Sequence, residues 1–247
     1  MLEGYIRLIT RWHIIPLLIL QALLGNRNLL AQQINFKDNT FFFPHSYQSG
    51  QIISSLGLST AKLPEDAVET DDVFRAPLFS YRMKYGLPEN FLVEGGVETN
   101  IVTFHFSLGP KWNYELGRMG FSVGTDIAYW FGKLQHFGFD TSYKGWILYP
   151  NVSAGYRFNK FTISVKSELV FNLAETSKNG DLKVSTNNDF FNGYTVGVYL
   201  EQPLWKDHFV VIGIRSTFLK FYYPMWAAFS TFDRIFFIPE GTFSIIL

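Results

Sequence analysis

The feature that most constrains this chain is a hydrophobic period of two. In Phe161-Thr162-Ile163-Ser164-Val165-Lys166-Ser167-Glu168-Leu169 the odd positions are apolar except Ser167, and the even positions are polar. Successive strand side chains point to opposite faces, so one face of such a run is greasy and the other carries charge. Thr103-Phe104-His105-Phe106-Ser107-Leu108-Gly109 repeats the pattern, as do the runs from Phe79 to Tyr85 and from Tyr194 to Glu201. Read between turn signals, these runs predict ten strands, roughly 51–59, 76–87, 90–98, 101–112, 118–131, 146–158, 160–173, 190–202, 208–222 and 235–247.

The connections obey a rule of their own. The links at Leu87-Pro88-Glu89, Asn113 to Gly117, Asn159-Lys160 and Pro203 to Asp207 are tight, and they follow the even strands. Those at 61–75, 132–145, 174–189 and 223–234 are long. Short turns on one side and longer loops on the other are the habit of outer-membrane barrels, which also favour an even strand number. Thr99-Asn100, which should be an outer loop, is the one tight link that departs from the alternation.

Composition explains why such strands would enter a membrane. Apolar residues make up 47% and charged residues only 17%, below the roughly 25% of an average soluble domain. After residue 31 no run of eighteen apolar residues supplies a helical span. A closed barrel is the other structure that satisfies every backbone group in lipid. The expected fold is therefore all-β, a transmembrane antiparallel up-and-down barrel of about ten strands.

Alternation alone leaves open which face points inward, and a soluble lipid-binding β-barrel of the periplasm would put the greasy face inside. Three features favour the opposite arrangement. The set of Phe, Tyr, Leu, Ile and Val is too bulky for one small lumen, and the other face is rich in Gly, Ser and Thr. The tryptophans Trp112, Trp130, Trp146, Trp205 and Trp226 also fall at strand ends, joined by Tyr129, Tyr149, Tyr222 and Tyr223. These rings are expected to form interfacial girdles.

Residues 1–31 read as a cleaved signal peptide. Arg7 and Arg11 give a basic start, Ile14 to Leu20 an apolar run, and Leu29-Leu30-Ala31 a small residue before Gln32-Gln33. Residues 32–50 are expected as an N-terminal periplasmic segment and 51–247 as the barrel. Within the segment, Phe41-Phe42-Phe43-Pro44 is placed at the periplasmic rim or inside the barrel mouth.

A hairpin then carries a resemblance. Tyr81-Arg82-Met83-Lys84-Tyr85-Gly86-Leu87-Pro88-Glu89-Asn90-Phe91-Leu92-Val93-Glu94-Gly95-Gly96 resembles a hairpin common in Gram-negative outer-membrane barrels. It is similar to the transporter-like barrels grouped with phenol-degradation outer-membrane proteins. The Ala-Gln-Gln step at 31–33 resembles signal cleavage sites of the Bacteroidetes, and Thr242 to Leu247 resembles the C-terminal signal read by barrel-assembly machinery. The resemblance implies a bacterial outer-membrane location and no established substrate. Both termini are expected in the periplasm. Outer-membrane lipid, lipopolysaccharide and the assembly machinery are the expected partners.

Mid-strand charges are the main candidate constellation: Arg82, Lys84, Glu94, Glu98, His105, Lys111, Asp126, Arg157, Lys166, Glu168, Glu201, Arg215 and Glu240. Facing lipid at the midplane, an Arg or Lys would cost ~2–4 kcal/mol, so these groups are assigned to the lumen. Beside His105 they number six bases and six acids. A selective pore usually shows one sign of charge. The balance favours a narrow or plugged barrel, without catalysis, acting as a conduit or through its surface.

Two catalytic alternatives stand beside this reading. His105 and Ser107 share a face, and Glu94 or Glu98 on the next strand could orient the imidazole for a serine nucleophile. The pair resembles the His-x-Ser signature of lipid A deacylases, although that motif sits near the C-terminus of a smaller barrel. An omptin-like protease is also ten-stranded, and His136, Asp140 and Asp189 lie in outer loops, but their spacing matches none of that family's motifs. The acids between Glu65 and Asp72 lack the spacing of a Ca²⁺ loop and read as a solvated loop.

The chain has no cysteine, which excludes disulfides, thiolate metal sites, a cysteine nucleophile and a lipidated N-terminal cysteine. Its formal net charge is zero, which gives no footing for nucleic acid. No P-loop, dinucleotide fingerprint or H-E-x-x-H occurs, so neither a cofactor nor a metal is expected.

Overall fold

A computed structural model describes residues 39–64, 75–134, 140–179, 182–185, 190–205, 208–226 and 234–247, all within one compact unit, Asn35–Leu247. The signal peptide, the acids at 65–72, His136 and Asp189 lie outside the described residues, as does the side chain of Trp205.

The strands are β1 (Ile52–Lys62), β2 (Arg75–Gly86), β3 (Phe91–Thr99), β4 (Thr103–Leu116), β5 (Met119–Leu134), β6 (Thr141–Arg157), β7 (Thr162–Asn179), β8 (Leu182–Ser185), β9 (Phe191–Trp205), β10 (His208–Leu219) and β11 (Phe236–Ile246). Each barrel strand pairs antiparallel with its neighbours, and β7 pairs directly with β9. The four-residue β8 only extends the end of β7. β1 meets β11 from Ser55↔Ile246 to Ala61↔Glu240, which closes a ring of ten strands. Closure removes both sheet edges and satisfies the backbone without water.

The greasy face points outward. Leu56, Leu58, Phe79, Met83, Phe106, Leu108, Val123, Val152, Val165, Val198, Ile212 and Phe243 are all exposed on it. A continuous apolar belt of this kind far exceeds the few hundred Å² that soluble monomers tolerate, and it suits lipid. The soluble arrangement, with the greasy face inside, is thereby overturned.

The turns explain the register. Glu89 and Asn90, at φ 59° and 65°, are the two left-handed residues of a type I′ hairpin between β2 and β3. Gly117, at φ 62°, supplies the turn into β5. At the other end, the short link 100–102 forces exposed Ile101 to φ 78°, a strained conformation for a β-branched residue. Asn100 holds that link together. Its Oδ1 accepts from Thr103 N at 2.8 Å, and its Nδ2 donates to Pro224 O at 2.5 Å. The link is tight because it docks on the chain returning between β10 and β11.

Several strands run past their expected ends. β6 starts at Thr141, and β7 continues to Asn179. The added residues pair with each other, from Thr141↔Asn179 to Trp146↔Ala174. They form a polar hairpin wall beyond the apolar belt, where periodic hydrophobicity is no longer required.

Candidate functional site

The lumen has three tiers, built from inward residues of the ten barrel strands. At the tight-turn end the chain's own segment 40–47 fills the mouth; of its two expected places, Phe41-Phe42-Phe43-Pro44 takes the interior. Phe41 and Phe43 have no exposed surface. The N–H groups of Phe41 and Phe42 donate to Glu201 Oε1 at 2.7 and 2.9 Å, and that of Phe43 donates to Oε2 at 2.6 Å. Thr162 Oγ1 also donates to Oε2, at 3.2 Å. Glu201, itself 0% exposed, thus gathers three consecutive backbone donors. The plug's rings rest on lumen cations: Lys84 Nζ lies 4.7 Å from the Phe41 ring centre and Arg157 Cζ 4.9 Å from that of Phe43. Lys84 also donates to Phe41 O at 2.5 Å, and Asn113 Nδ2 to His45 O at 2.7 Å. Room for the segment comes from glycine: a Cβ at Gly120 would strike Pro44 O.

The middle tier is a charge network. Arg82 pairs with Glu98. Lys111 lies 2.6 Å from Glu94 and 3.3 Å from Asp126, and Lys84 reaches Glu94 at 3.5 Å. Lys166 pairs with Glu168 at 2.6 Å, and Arg215 with Glu240 at 2.6 Å. Asn151 donates to Asp126 at 2.9 Å and Thr195 to Glu168 at 3.2 Å. Arg157 pairs with Glu115 at 2.8 Å. Glu115 lies beyond the predicted end of its strand and was not singled out from the sequence. The cavity left among these groups measures about 60 Å³. That is room for water rather than for a solute.

The third tier is an aromatic lid at the loop end. Trp130 and Tyr143 stack at 4.9 Å between ring centres, and Tyr143 stacks on Phe221 at 5.4 Å. Tyr223 stacks on His105 at 4.7 Å and donates from its hydroxyl to Glu98 Oε2 at 3.1 Å. Trp226 Nε1 donates to Thr103 Oγ1 at 3.1 Å, its ring lying where a Cβ on Gly132 would be. Asn192 clamps Phe221, accepting from its N at 2.8 Å and donating to its O at 2.9 Å. Burial holds the Tyr222 and Tyr223 phenols well above the usual tyrosine range, reinforced by Glu240 for the first and Glu98 for the second.

This placement corrects the girdle. Trp112 and Trp146 are exposed on the outer face, and Trp146 packs against Tyr129 at 4.9 Å. Trp130 and Trp226 are buried inside instead, with Tyr222 and Tyr223, and half-buried Tyr149 lines the cavity beside them. Trp130 shares its face of β5 with Asp126, so the alternation turns it inward. Trp226 follows β10 on a segment that folds back into the mouth.

Among the described residues, the candidate pair His105 and Ser107 is not arranged as a base and a nucleophile. His105 Nε2 is 3.3 Å from Tyr149 Oη, and Nδ1 is 3.9 Å from Glu98. Ser107 lines the same cavity with no hydrogen bond to His105. Glu94 is engaged by Lys111 and Lys84. Of the three residues proposed for a protease-like rim, Asp140 is described, whereas His136 and Asp189 fall outside the described residues. Among the described residues no His, Asp and Glu group forms a metal-ligand set.

No protein-family model and no curated protein matches the chain. Among solved structures it is similar to the outer membrane protease OmpT from Escherichia coli, at 10% identity over 79% of this chain and 94% of that one, with a TM-score of 0.44. It is also similar to the translocator domain of the autotransporter NalP from Neisseria meningitidis, at 11% identity over 82% and 90%, with a TM-score of 0.42. Against CdiB from Acinetobacter baumannii (13% identity, TM-score 0.32) the match covers 67% of this chain and 31% of CdiB, so the chain spans well under half of that protein's length. By its own geometry the chain is a membrane-type, ten-stranded antiparallel β-barrel whose lumen is filled from both ends.

Proposed function

We propose that this protein is a closed barrel of the bacterial outer membrane that holds no standing pore and works without catalysis, through the surface formed by its loop end. The observation that carries the reading is the pair of stoppers made from the chain itself. A segment anchored on Glu201 fills one mouth, an aromatic lid fills the other, and the cavities among the residues between them measure about 60, 20 and 10 Å³. Balanced internal ion pairs support it, since they hold the walls together rather than select one sign of solute. The tight turns, the start of β1 and the end of β11 then face the periplasm, and the longer loops face outward. The partners on this reading are the surrounding lipid, lipopolysaccharide among it, and the assembly machinery that inserts the barrel.

The test is conductance of the purified folded protein in a planar bilayer. The expected record is a flat baseline under moderate voltage. A steady open-channel current would overturn the closed reading and make the charge network a conduit.

A further inference from the structure

Outside the lumen, a place on the apolar belt is left unfilled. Across β10, β11, β1 and β2, near the loop end, lies an open trough of about 260 Å³, larger than the internal cavity. Its floor is Gly241, between Ile214 of β10 and Thr60 of β1 in register. A Cβ on Gly241 would touch nothing within 4 Å, so the strand leaves a slot where its neighbours carry side chains. Pro239 forms the next outward position of β11. Below, toward mid-belt, exposed Leu58 and Phe243 face each other across the β1–β11 seam and continue the slot as an apolar track.

At the loop-side rim of the trough stand Lys62 and Arg75. They are direct cross-strand partners, and both are exposed on the outer face. Like charges directly opposite one another destabilise a strand pair. Among the described residues no carboxylate is paired with either. Two cations at the edge of an apolar track are complementary to an amphiphile with a phosphate head and a hydrocarbon tail.

We propose that this trough binds one lipopolysaccharide molecule, a lipid A phosphate held between Lys62 and Arg75 and an acyl chain lying over Gly241. The proposal rests on the reading that the loop end faces outward, because that leaflet presents the phosphorylated glycolipid. The slot gives the chain a track that a uniformly bulky belt lacks, and the two bases fix the depth of the head group.

The test is native mass spectrometry of the full folded chain in detergent, titrated with defined lipopolysaccharide and, separately, with phosphatidylglycerol. The parent protein should retain one lipopolysaccharide. The double variant Lys62→Gln/Arg75→Gln should weaken retention by about tenfold or more, as expected for losing charge-assisted hydrogen bonds. Gly241→Leu, which fills the slot from outside, should weaken it too, while Lys144→Gln, on the exposed face of β6, should leave it unchanged. Equal retention by the parent and the double variant would overturn the site. Equal retention of phosphatidylglycerol would overturn the glycolipid as its occupant. Heat-dependent gel migration verifies that each variant is folded, and conductance is scored separately, so failure here is distinguishable from failure of the closed-barrel reading.

Discussion

The two ends of the lumen are closed by different physics. At the tight-turn end, a peptide from before the first strand is held by one carboxylate that accepts three of its backbone N–H groups. At the loop end, closure is spread over stacked rings from β5, β6 and the segment after β10, with Trp130, Tyr143, Phe221, Tyr223 and Trp226 sharing contacts. The first stopper concentrates its stability at a point, and the second distributes it. A concentrated closure can be released by one event, whereas a distributed one resists any single loss.

The largest effect is therefore expected from Glu201→Ala. Two buried N–H groups and one half-buried one would lose their acceptor, destabilising the plug by about 3–5 kcal/mol at roughly 1–2 kcal/mol per group. Limited proteolysis should then cut within residues 39–50 while the barrel keeps its heat-dependent migration. A segment that stays protected would mean that ring packing on Lys84 and Arg157, not the carboxylate, holds it. A smaller change is expected from Trp130→Ala, about 3 kcal/mol of global stability, because Tyr143, Phe221 and Tyr223 remain to cover the gap. Here the lid should stay shut to a bulky quencher of tryptophan fluorescence directed at Trp226. Quenching as strong as in unfolded protein would make the lid as point-dependent as the plug.

The smallest effect is a response to alkali in which the lid takes part. Folding raises the Tyr222 and Tyr223 phenols above their ordinary value, so above about pH 10 the folded state binds more protons than the unfolded one. Their contribution is complete below that pH and is lost as pH rises through the folded values. Denaturant midpoints between pH 8 and 11 should fall, and Tyr222→Phe with Tyr223→Phe should flatten the fall. An unchanged slope would place the alkaline sensitivity elsewhere in the chain.

The barrel itself was legible because lipid imposes a period of two on every strand that crosses it. What the membrane does not touch was harder to read. Residues 174–179 look like a loop because a hairpin wall outside the belt needs no apolar alternation. The plug was visible only as a greasy patch, since its anchor lies in β9, some 160 positions away in sequence. Trp130 shows the opposite case. Its parity with Asp126 already turned it toward the lumen, but its position near a strand end suggested a girdle. Face, which follows from the pleat, was the stronger guide than depth. Glu115 escaped notice because its strand outlasts the hydrophobic run that marked it.

The seam between β1 and β11 has a consequence in time. Ser55 is opposite Ile246, so β1 waits unpaired on one side until β11 has been delivered. Contacts this distant in sequence form slowly. Throughout that interval β1 offers an exposed edge, and whatever escorts the chain to the membrane has to shelter it. The plug, attached directly ahead of β1, has the same interval in which to find Glu201 before the wall around it becomes continuous.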